Sequence, residues 1–162
     1  MTKNDAYIHS SSEVSEKCKI GEGSKIWHFS HIREGATIGK NVTIGQNVYI
    51  DKDVEIGDNC KIQNNVSIYK GVKIDNNVFI GPSVVFTNDV YPIVDGWSDK
   101  KIVDTHIKND VSLGANSTIL AGVTIGEFTL VGAGSVVTKS LPSNCIVYGN
   151  PAKIKSEDYR KE

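Results

Sequence analysis

Four histidines, His9, His28, His31 and His106, are the side chains best suited to move protons near neutral pH. His28 and His31 stand three apart, and either can serve as a general base or as a substrate contact. A catalytic zinc commonly takes three protein ligands, often His. Neither His9 nor His106 joins His28 and His31 in one column, so no metal is expected. Cys18, Cys60 and Cys145 form no CxxC pair and leave one thiol over in any disulfide scheme. A reducing cytoplasm is therefore expected. The amides Gln46, Gln63, Asn64 and Asn65 can hold a sugar or nucleotide by directional hydrogen bonds, or satisfy one another as stacked amides do.

The chain that must position these groups has 162 residues, enough for one domain. Its 18 Lys+Arg and 19 Asp+Glu leave a net charge of −1, which argues against a nucleic-acid partner. Aromatics are only 7% of the residues, so the core has to be aliphatic. No apolar run approaches the roughly 18 residues a membrane span needs. Met1-Thr2-Lys3-Asn4-Asp5 has no apolar stretch behind it, so no signal peptide is expected.

A six-residue period organises the sequence. Every sixth residue from Ile8 to Phe86 is apolar: Val14, Ile20, Ile26, Ile32, Ile38, Ile44, Ile50, Ile56, Ile62, Ile68, Ile74 and Ile80 lie between. Two residues before each comes a small or β-branched partner such as Ala6, Ser24, Ser30, Val42 or Cys60. The pattern resumes at Ile107, Leu113, Ile119, Ile125, Val131 and Val137. An α-helix needs a spacing near 3.6, and a plain strand has no six-residue reset. The period predicts short strands joined by corners, three to a triangular coil, with coils stacked at the inter-strand spacing of about 4.8 Å. Glycines often follow the large residue, as Gly21, Gly39, Gly45 and Gly81 do, and are expected to supply φ > 0 at the corners. The fold expected is an all-β parallel β-helix of hexapeptide repeats over 1–152. Residues 153–162 are expected to form a polar tail, for which a helix is the candidate structure.

The repeat breaks once. From Phe86 to Ile107 the step is 21 residues, so the phase slips, and residues 87–105 read as an inserted loop with Pro92, Gly96, Tyr91 and Trp97. A break in an otherwise regular solenoid is where function is expected. The 18-residue coil also stacks His28, Gln46, Asn64 and Pro82 in one column, and His31, Tyr49, Ser67 and Val85 in another. The first is expected to rise toward the loop, with Gln63, Asn64 and Asn65 nearest to it.

From Ile8 to Pro151 the chain resembles the left-handed β-helix acyltransferases. Ile26-Trp27-His28-Phe29 with His31, Gly45-Gln46-Asn47-Val48, Lys61 to Ser67, and Gly81-Pro82-Ser83 with Phe86-Thr87-Asn88 resemble the nucleotide-linked amino-sugar N-acetyltransferases. Thr87 to Pro92 looks more like the enzymes for dTDP-3-amino-3,6-dideoxyhexoses than the UDP-linked 3-amino uronate enzymes, which remain the alternative. The left hand, a homotrimer with sites between subunits, and a place in bacterial surface polysaccharide synthesis are what this resemblance implies.

It also implies transfer of acetyl from acetyl-CoA to the 3-amino group of the sugar. Asn88 would orient the amine or the forming oxyanion, Asp89 would take a proton or anchor the loop, and Gln46, Gln63, Asn64, Asn65 and Tyr91 would contact the nucleotide sugar. The coenzyme would run along Gly114, Ala115, Ala121, Gly122, Gly132 and Ala133, with Lys139 and Lys153 at its phosphates. The architecture is shared by zinc carbonic anhydrases, which the histidine pattern disfavours, and by O-acetyltransferases, which rely on a His that the 87–105 loop lacks. A non-catalytic β-helical scaffold is the reading from a different class.

Overall fold

The computed structural model describes residues 2, 3, 5–96 and 98–157. Trp97 and the end of the C-terminal tail lie outside them. The chain winds into a parallel β-solenoid of about eight turns. Among the described residues the strands form three sheets of 10, 6 and 7 strands, one on each face of a prism. The first face carries Lys25–Ile26, Thr43–Ile44, Lys61–Ile62 and Phe79–Ile80. The second carries His31–Ile32, Tyr49–Ile50, Ser67–Ile68 and Val85–Phe86. The third carries Thr37–Ile38, Glu55–Ile56, Val72–Ile74 and Thr105–Ile107.

The six-residue period becomes a buried column. Ile26, Ile32, Ile44, Ile50, Ile62, Ile68 and Ile80 are wholly buried, and Phe86 takes the same position at the last turn before the excursion. Burying each such side chain contributes roughly 1.5–3 kcal/mol. The small partners fill the corners, and where they are polar most are satisfied. Ser24 Oγ donates to the Gly39 carbonyl at 2.8 Å and accepts the Val42 N–H at 2.9 Å. Ser30 Oγ does the same with Gly45 and Val48.

The corner chemistry differs from the expectation in one respect. The residues with φ between +55° and +61° include Asn41, Asn47, Asn59 and Asn65, and not the glycines after the core isoleucines. Asn is among the few residues that visit this region, and here the amides bond from turn to turn, Asn41 to Asn59, Asn47 to Asn65 and Asn59 to Asn77. Gly45 is needed instead for close stacking: a Cβ there would lie 2.8 Å from the Asn64 backbone nitrogen of the next turn.

The excursion does not disturb the prism. Val72 pairs with Thr105 and Ile74 with Ile107, so the third face continues unbroken. Equivalent residues here are 33 apart instead of 18. The phase slip is thus only along the chain, because the loop leaves after the second face and returns in register at the third.

Both ends of the first sheet close with antiparallel pairs. Thr2–Lys3 pairs with Ala6–Ile8, and Lys153–Glu157 with Cys145–Tyr148. The expectation of a helical tail is corrected where it is described. The last turn leaves a row of unpaired backbone groups, and Lys153–Glu157 satisfies them as a strand. Its side chains are all exposed, which is why no apolar period marks it in the sequence.

Candidate functional site

The loop is fastened at its base by side chains of the flanking turns. Thr87 Oγ1 accepts the Ala121 N–H at 2.9 Å, and Thr105 Oγ1 accepts the Gly122 N–H at 3.1 Å. Asn88 and Val103 join the outgoing and returning segments, the Val103 N–H donating to the Asn88 carbonyl at 3.0 Å. Asp89 bridges antiparallel to Ile102. Ile102 then sits over Gly71 and Val103 over Gly122.

Within this frame the side chain of Asn88 has a fixed orientation. Its Nδ2 donates to the Lys70 carbonyl at 3.1 Å, an assignment that follows from the bonding network. Oδ1 then faces away from that carbonyl and has no partner among the described residues. Asp89 divides its carboxylate in a similar way. Oδ1 accepts the Tyr91 N–H at 2.8 Å, closing a tight turn, while Oδ2 is buried with no hydrogen-bond partner. A buried, unpaired carboxylate oxygen is costly, and adjacent residues of the loop thus offer two unused acceptors.

The Lys70 side chain straps the far part of the loop, its Nζ lying 2.7 Å from Asp99 and 3.7 Å from Asp53. The bond to Asp99 raises the Lys70 ammonium above its ordinary range, and the same bond holds the Asp99 carboxyl below its own.

The expected site residues divide between two corners of the prism. His28, Gln46, Gln63, Asn64, Asn65, Gly114, Ala115, Gly132 and Ala133 occupy the corner between the first and second faces. Asn88, Asp89, Tyr91, Ala121, Gly122 and Lys139 occupy the corner between the second and third. The second face, which includes His31, separates the two groups. Within one chain the amide column therefore does not rise to the loop, and Gln63, Asn64 and Asn65 are not beside it.

Several of these residues also have structural work. Asn64 Oδ1 accepts the Gln46 N–H at 2.8 Å, and Asn47 Nδ2 donates to Asn65 Oδ1 at 3.0 Å. The His28 ring lies against His9 with centroids 3.6 Å apart and the rings tilted by 31°. His31 meets Tyr49 edge-on at 5.6 Å and approaches Glu13 at 3.9 Å. Lys153 lies exposed in the terminal strand and Lys139 exposed at its corner. Among the described residues no group of three His, Cys, Asp or Glu side chains is placed to hold a metal.

Residues 17–52, 53–88 and 104–139 match the model of the bacterial transferase hexapeptide (six repeats), and together they cover more than half of the chain. The chain belongs to the bacterial transferase hexapeptide family. Residues 35–70 also match the hexapeptide repeat of succinyl-transferase. The segments matched by the six-repeat model stop at Asn88 and resume at Asp104, so the family pattern leaves out most of the loop. Among relatives, the dTDP-3-amino-3,6-dideoxy-alpha-D-galactopyranose 3-N-acetyltransferase of Aneurinibacillus thermoaerophilus is 57% identical over 51 residues, covering 32% of this chain and 27% of the relative. The match spans about a quarter of that relative's length. Among solved structures, a mutant of GDP-perosamine N-acetyl transferase from Caulobacter crescentus, in complex with CoA and GDP-perosamine, superposes with a TM-score of 0.66 at 25% identity, covering 95% of this chain and 58% of that one. A hexapeptide-repeat acetyltransferase of Vibrio cholerae complexed with acetyl coenzyme A gives 0.66 at 29% identity, covering 76% and 70%.

For a hexapeptide transferase, the residues expected to hold the acyl donor can be sorted by their free amides. Ala121 and Gly122 have given theirs to Thr87 and Thr105, so these two residues seat the loop. The N–H groups of Ala115 and Ala133 have no acceptor among the described residues, and they stand one turn apart at the same corner. An extended amide-bearing chain fits donors so spaced. Sequence reasoning misses Lys70, Thr87 and Thr105 in this site. Lys70 stands 18 residues before Asn88, so counting one coil back from the loop identifies it. His106, which joins no metal cluster, has its Nε2 2.8 Å from Asp75 Oδ1 on the third face.

Proposed function

We propose that this chain transfers acetyl from acetyl-CoA to the 3-amino group of a dTDP-linked 3-amino-3,6-dideoxyhexose, a step toward bacterial surface polysaccharide in the cytoplasm. A UDP-linked 3-amino sugar or uronate is the alternative acceptor. The observation that carries this reading is the pair of unused acceptors, Asn88 Oδ1 and Asp89 Oδ2, at the base of the one excursion from the repeat. A primary amine has two N–H groups to offer such a pair. Held by both, the neutral nitrogen keeps its lone pair for the thioester carbonyl, and alignment of the two supplies much of the acceleration. The C–N bond forms as the C–S bond breaks, and the proton shed by the nitrogen passes to the departing thiolate or to Asp89. The thioester contributes an activated acyl group; the chain contributes position and hydrogen bonds.

The separation of the two corners supports an assembly in which the loop of one subunit meets the Gln46–Ala133 corner of a neighbour. We infer a homotrimer with three such sites, in which Gln46 and Gln63 contact the nucleotide sugar and Ala115 and Ala133 the pantetheine. His28, at that neighbouring corner, or His31, on the second face beside it, stands as the proton acceptor.

A second reading, acetylation of a hydroxyl, is favoured by the His106–Asp75 pair. A hydroxyl must be deprotonated as it attacks, and a carboxylate-oriented imidazole is suited to that. The decisive experiment presents dTDP- and UDP-linked 3-amino sugars and their 3-hydroxy counterparts with acetyl-CoA and follows free thiol release. Turnover of amines that survives His106→Gln supports the first reading. Turnover confined to alcohols, lost in His106→Gln by a factor of about 10²–10⁴, establishes the second.

A further inference from the structure

Several corners of the prism share a hydrogen-bonding rule, and the base of the loop breaks it. Two residues after the core side chain, an Asn or Asp turns its side-chain oxygen to the turn before and accepts the N–H of the residue in its own position there. Asn64 Oδ1 takes the Gln46 N–H at 2.8 Å, Asp58 Oδ1 the Lys40 N–H at 2.7 Å and Asn76 Oδ1 the Asp58 N–H at 2.8 Å. Asn109 Oδ1 takes the Asn76 N–H at 3.0 Å even across the excursion. Asn88 occupies the same position, two residues after Phe86 and 18 after Lys70. By the rule its Oδ1 would accept the Lys70 N–H and be spent.

That N–H is instead taken from the turn before. Asp51 Oδ2 accepts it at 3.3 Å, and the Asn88 amide is turned over, its Nδ2 donating to the Lys70 carbonyl at 3.1 Å. Asp51 follows Ile50 at the end of the second face, and its side chain is only 15% exposed. Its other oxygen is fully engaged. Oδ1 accepts the Lys52 N–H at 2.8 Å, the Tyr49 hydroxyl at 3.0 Å and Arg33 Nη1 at 3.3 Å. These three donors fix the carboxylate and leave Oδ2 for Lys70. An N–H deprived of its acceptor is costly, and without Asp51 the Asn88 oxygen is the acceptor that the repeat itself would supply.

We propose that Asp51 is a positioning residue of the transferase site: by holding the Lys70 N–H it keeps Asn88 Oδ1 out of the corner's own hydrogen bonding and available to the attacking amine. It acts through the Lys70 peptide and touches no substrate. The proposal rests on the reading in which Asn88 receives that amine.

The test uses the full chain and Asp51→Asn, which preserves the shape of the side chain. With three donors holding its oxygen in the Oδ1 place, the new amide sets an N–H against the Lys70 N–H, with no acceptor between them. Asn88 is then expected to roll over and take the Lys70 N–H, as Asn64 takes that of Gln46. With a dTDP-linked 3-amino sugar, kcat is expected to fall about 10²-fold, the scale of a small misplacement at a reacting centre. KM for acetyl-CoA should be unmoved. In an Asn88→Ala background the same substitution is expected to change kcat by less than about twofold, because the two residues act through one contact. The side-chain amide NMR resonances of Asn88, identified by their loss in Asn88→Ala, report its orientation without turnover. They are expected to move in Asp51→Asn, and also in Asp51→Ala, which removes the acceptor without adding a donor. An equal loss of kcat in both backgrounds, or Asn88 resonances unmoved in either Asp51 variant, overturns the proposal. Failure of the parent to acetylate any amino sugar overturns the transferase reading instead, and the resonances still decide whether Asp51 orients Asn88.

Discussion

The side-chain amide of Asn88 donates to the main-chain carbonyl of Lys70, one turn below, at 3.1 Å. This bond uses Nδ2 and turns Oδ1 away, so the orientation of the one amide at the loop base is set by the backbone of the prism. Removing the side chain removes both the acceptor and the anchor. Asn88→Ala is expected to lower kcat by about 10²–10³, the scale of losing one positioned hydrogen-bonding group at a reacting centre. The loss in stability should be only about 1 kcal/mol. Asn88→Asp tests the orientation itself, since it replaces the donor facing the Lys70 carbonyl with a charged acceptor. Comparable loss of kcat in both, with Tm nearly unchanged in Asn88→Ala, is the expected pattern in steady-state kinetics and thermal melts.

Two glycines seat the loop from either side. Gly71 has φ of +93°, and a Cβ there would come 2.5 Å from Ile102 Cγ2. Gly122 has φ of +84°, and its Cβ would come 2.9 Å from Val103 Cγ1. Alanine at either position is disfavoured by conformation as well as by contact. Gly71→Ala and Gly122→Ala are each expected to cost about 1–3 kcal/mol. Because the strain falls on the loop's return segment, kcat should fall more steeply than a comparable core substitution makes it fall. Denaturant melts beside kcat for the two variants, with Ile56→Val as the core control, measure the difference.

The legible part of this molecule is the part written as a period. Ile26, Ile44 and Ile62 announce the first face because each sits 18 residues from the next and nothing else in the chain competes for that phase. The loop is legible for the complementary reason, as the place between two regular blocks where the count fails; a second slip, with Val131 opposite Val147 and Ile125 opposite Leu141, 16 residues on, comes only at the end of the repeat. Gly45 misleads because a glycine required by φ and one required by close stacking look alike in a sequence; only the neighbouring turn tells them apart. The His28–Gln46–Asn64 column is correct as a column but stands on the other side of the second face from Asn88. Stacking arithmetic fixes which residues lie above one another, and assigning a column to a corner needs a second count around the coil. Lys153–Glu157 is opaque because its role is to satisfy backbone groups, which leaves no mark on side-chain pattern.

The Lys70–Asp99 strap gives the loop a defined pH range. Asp99 titrates below its ordinary value of 3.8 because of its bond to Lys70, so its contribution is complete above that value and is lost as the pH falls through the lower, folded-state value. Lys70 titrates above its ordinary 10.5, so its contribution is complete below that value and is lost as the pH rises through the higher one. Between these limits the strap should be insensitive to pH. Hydrogen exchange of residues 98–103 is expected to be flat from about pH 5 to 9 once corrected for the intrinsic rate. It should accelerate in Lys70→Met across that whole range. A titration of protection near neutral pH in the parent would show that another group fastens the loop.

Cys60 offers a check on the core that is independent of the site. It is 1% exposed on the column of small residues, and its Sγ lies 3.1 Å from the Asp75 carbonyl. Burial disfavours the thiolate and pushes its pKa up to about 11. The thiolate is the reactive form, so at about pH 8 the native thiol is protected both by exclusion of reagent and by protonation. Cys18 and Cys145 are buried as well. All three thiols should therefore fail to react with an aromatic disulfide reagent in the native protein and react together when denaturant unfolds the solenoid. Above the midpoint the rates should approach that of an ordinary cysteine with a pKa of about 8.5. Labelling of Cys145 at lower denaturant than Cys60 would mean that the C-terminal turns open separately. The Cys145–Tyr148 strand, held on its outer side by Lys153–Glu157 alone, is where such opening would begin, so Cys145→Ser in parallel identifies which thiol the early phase reports.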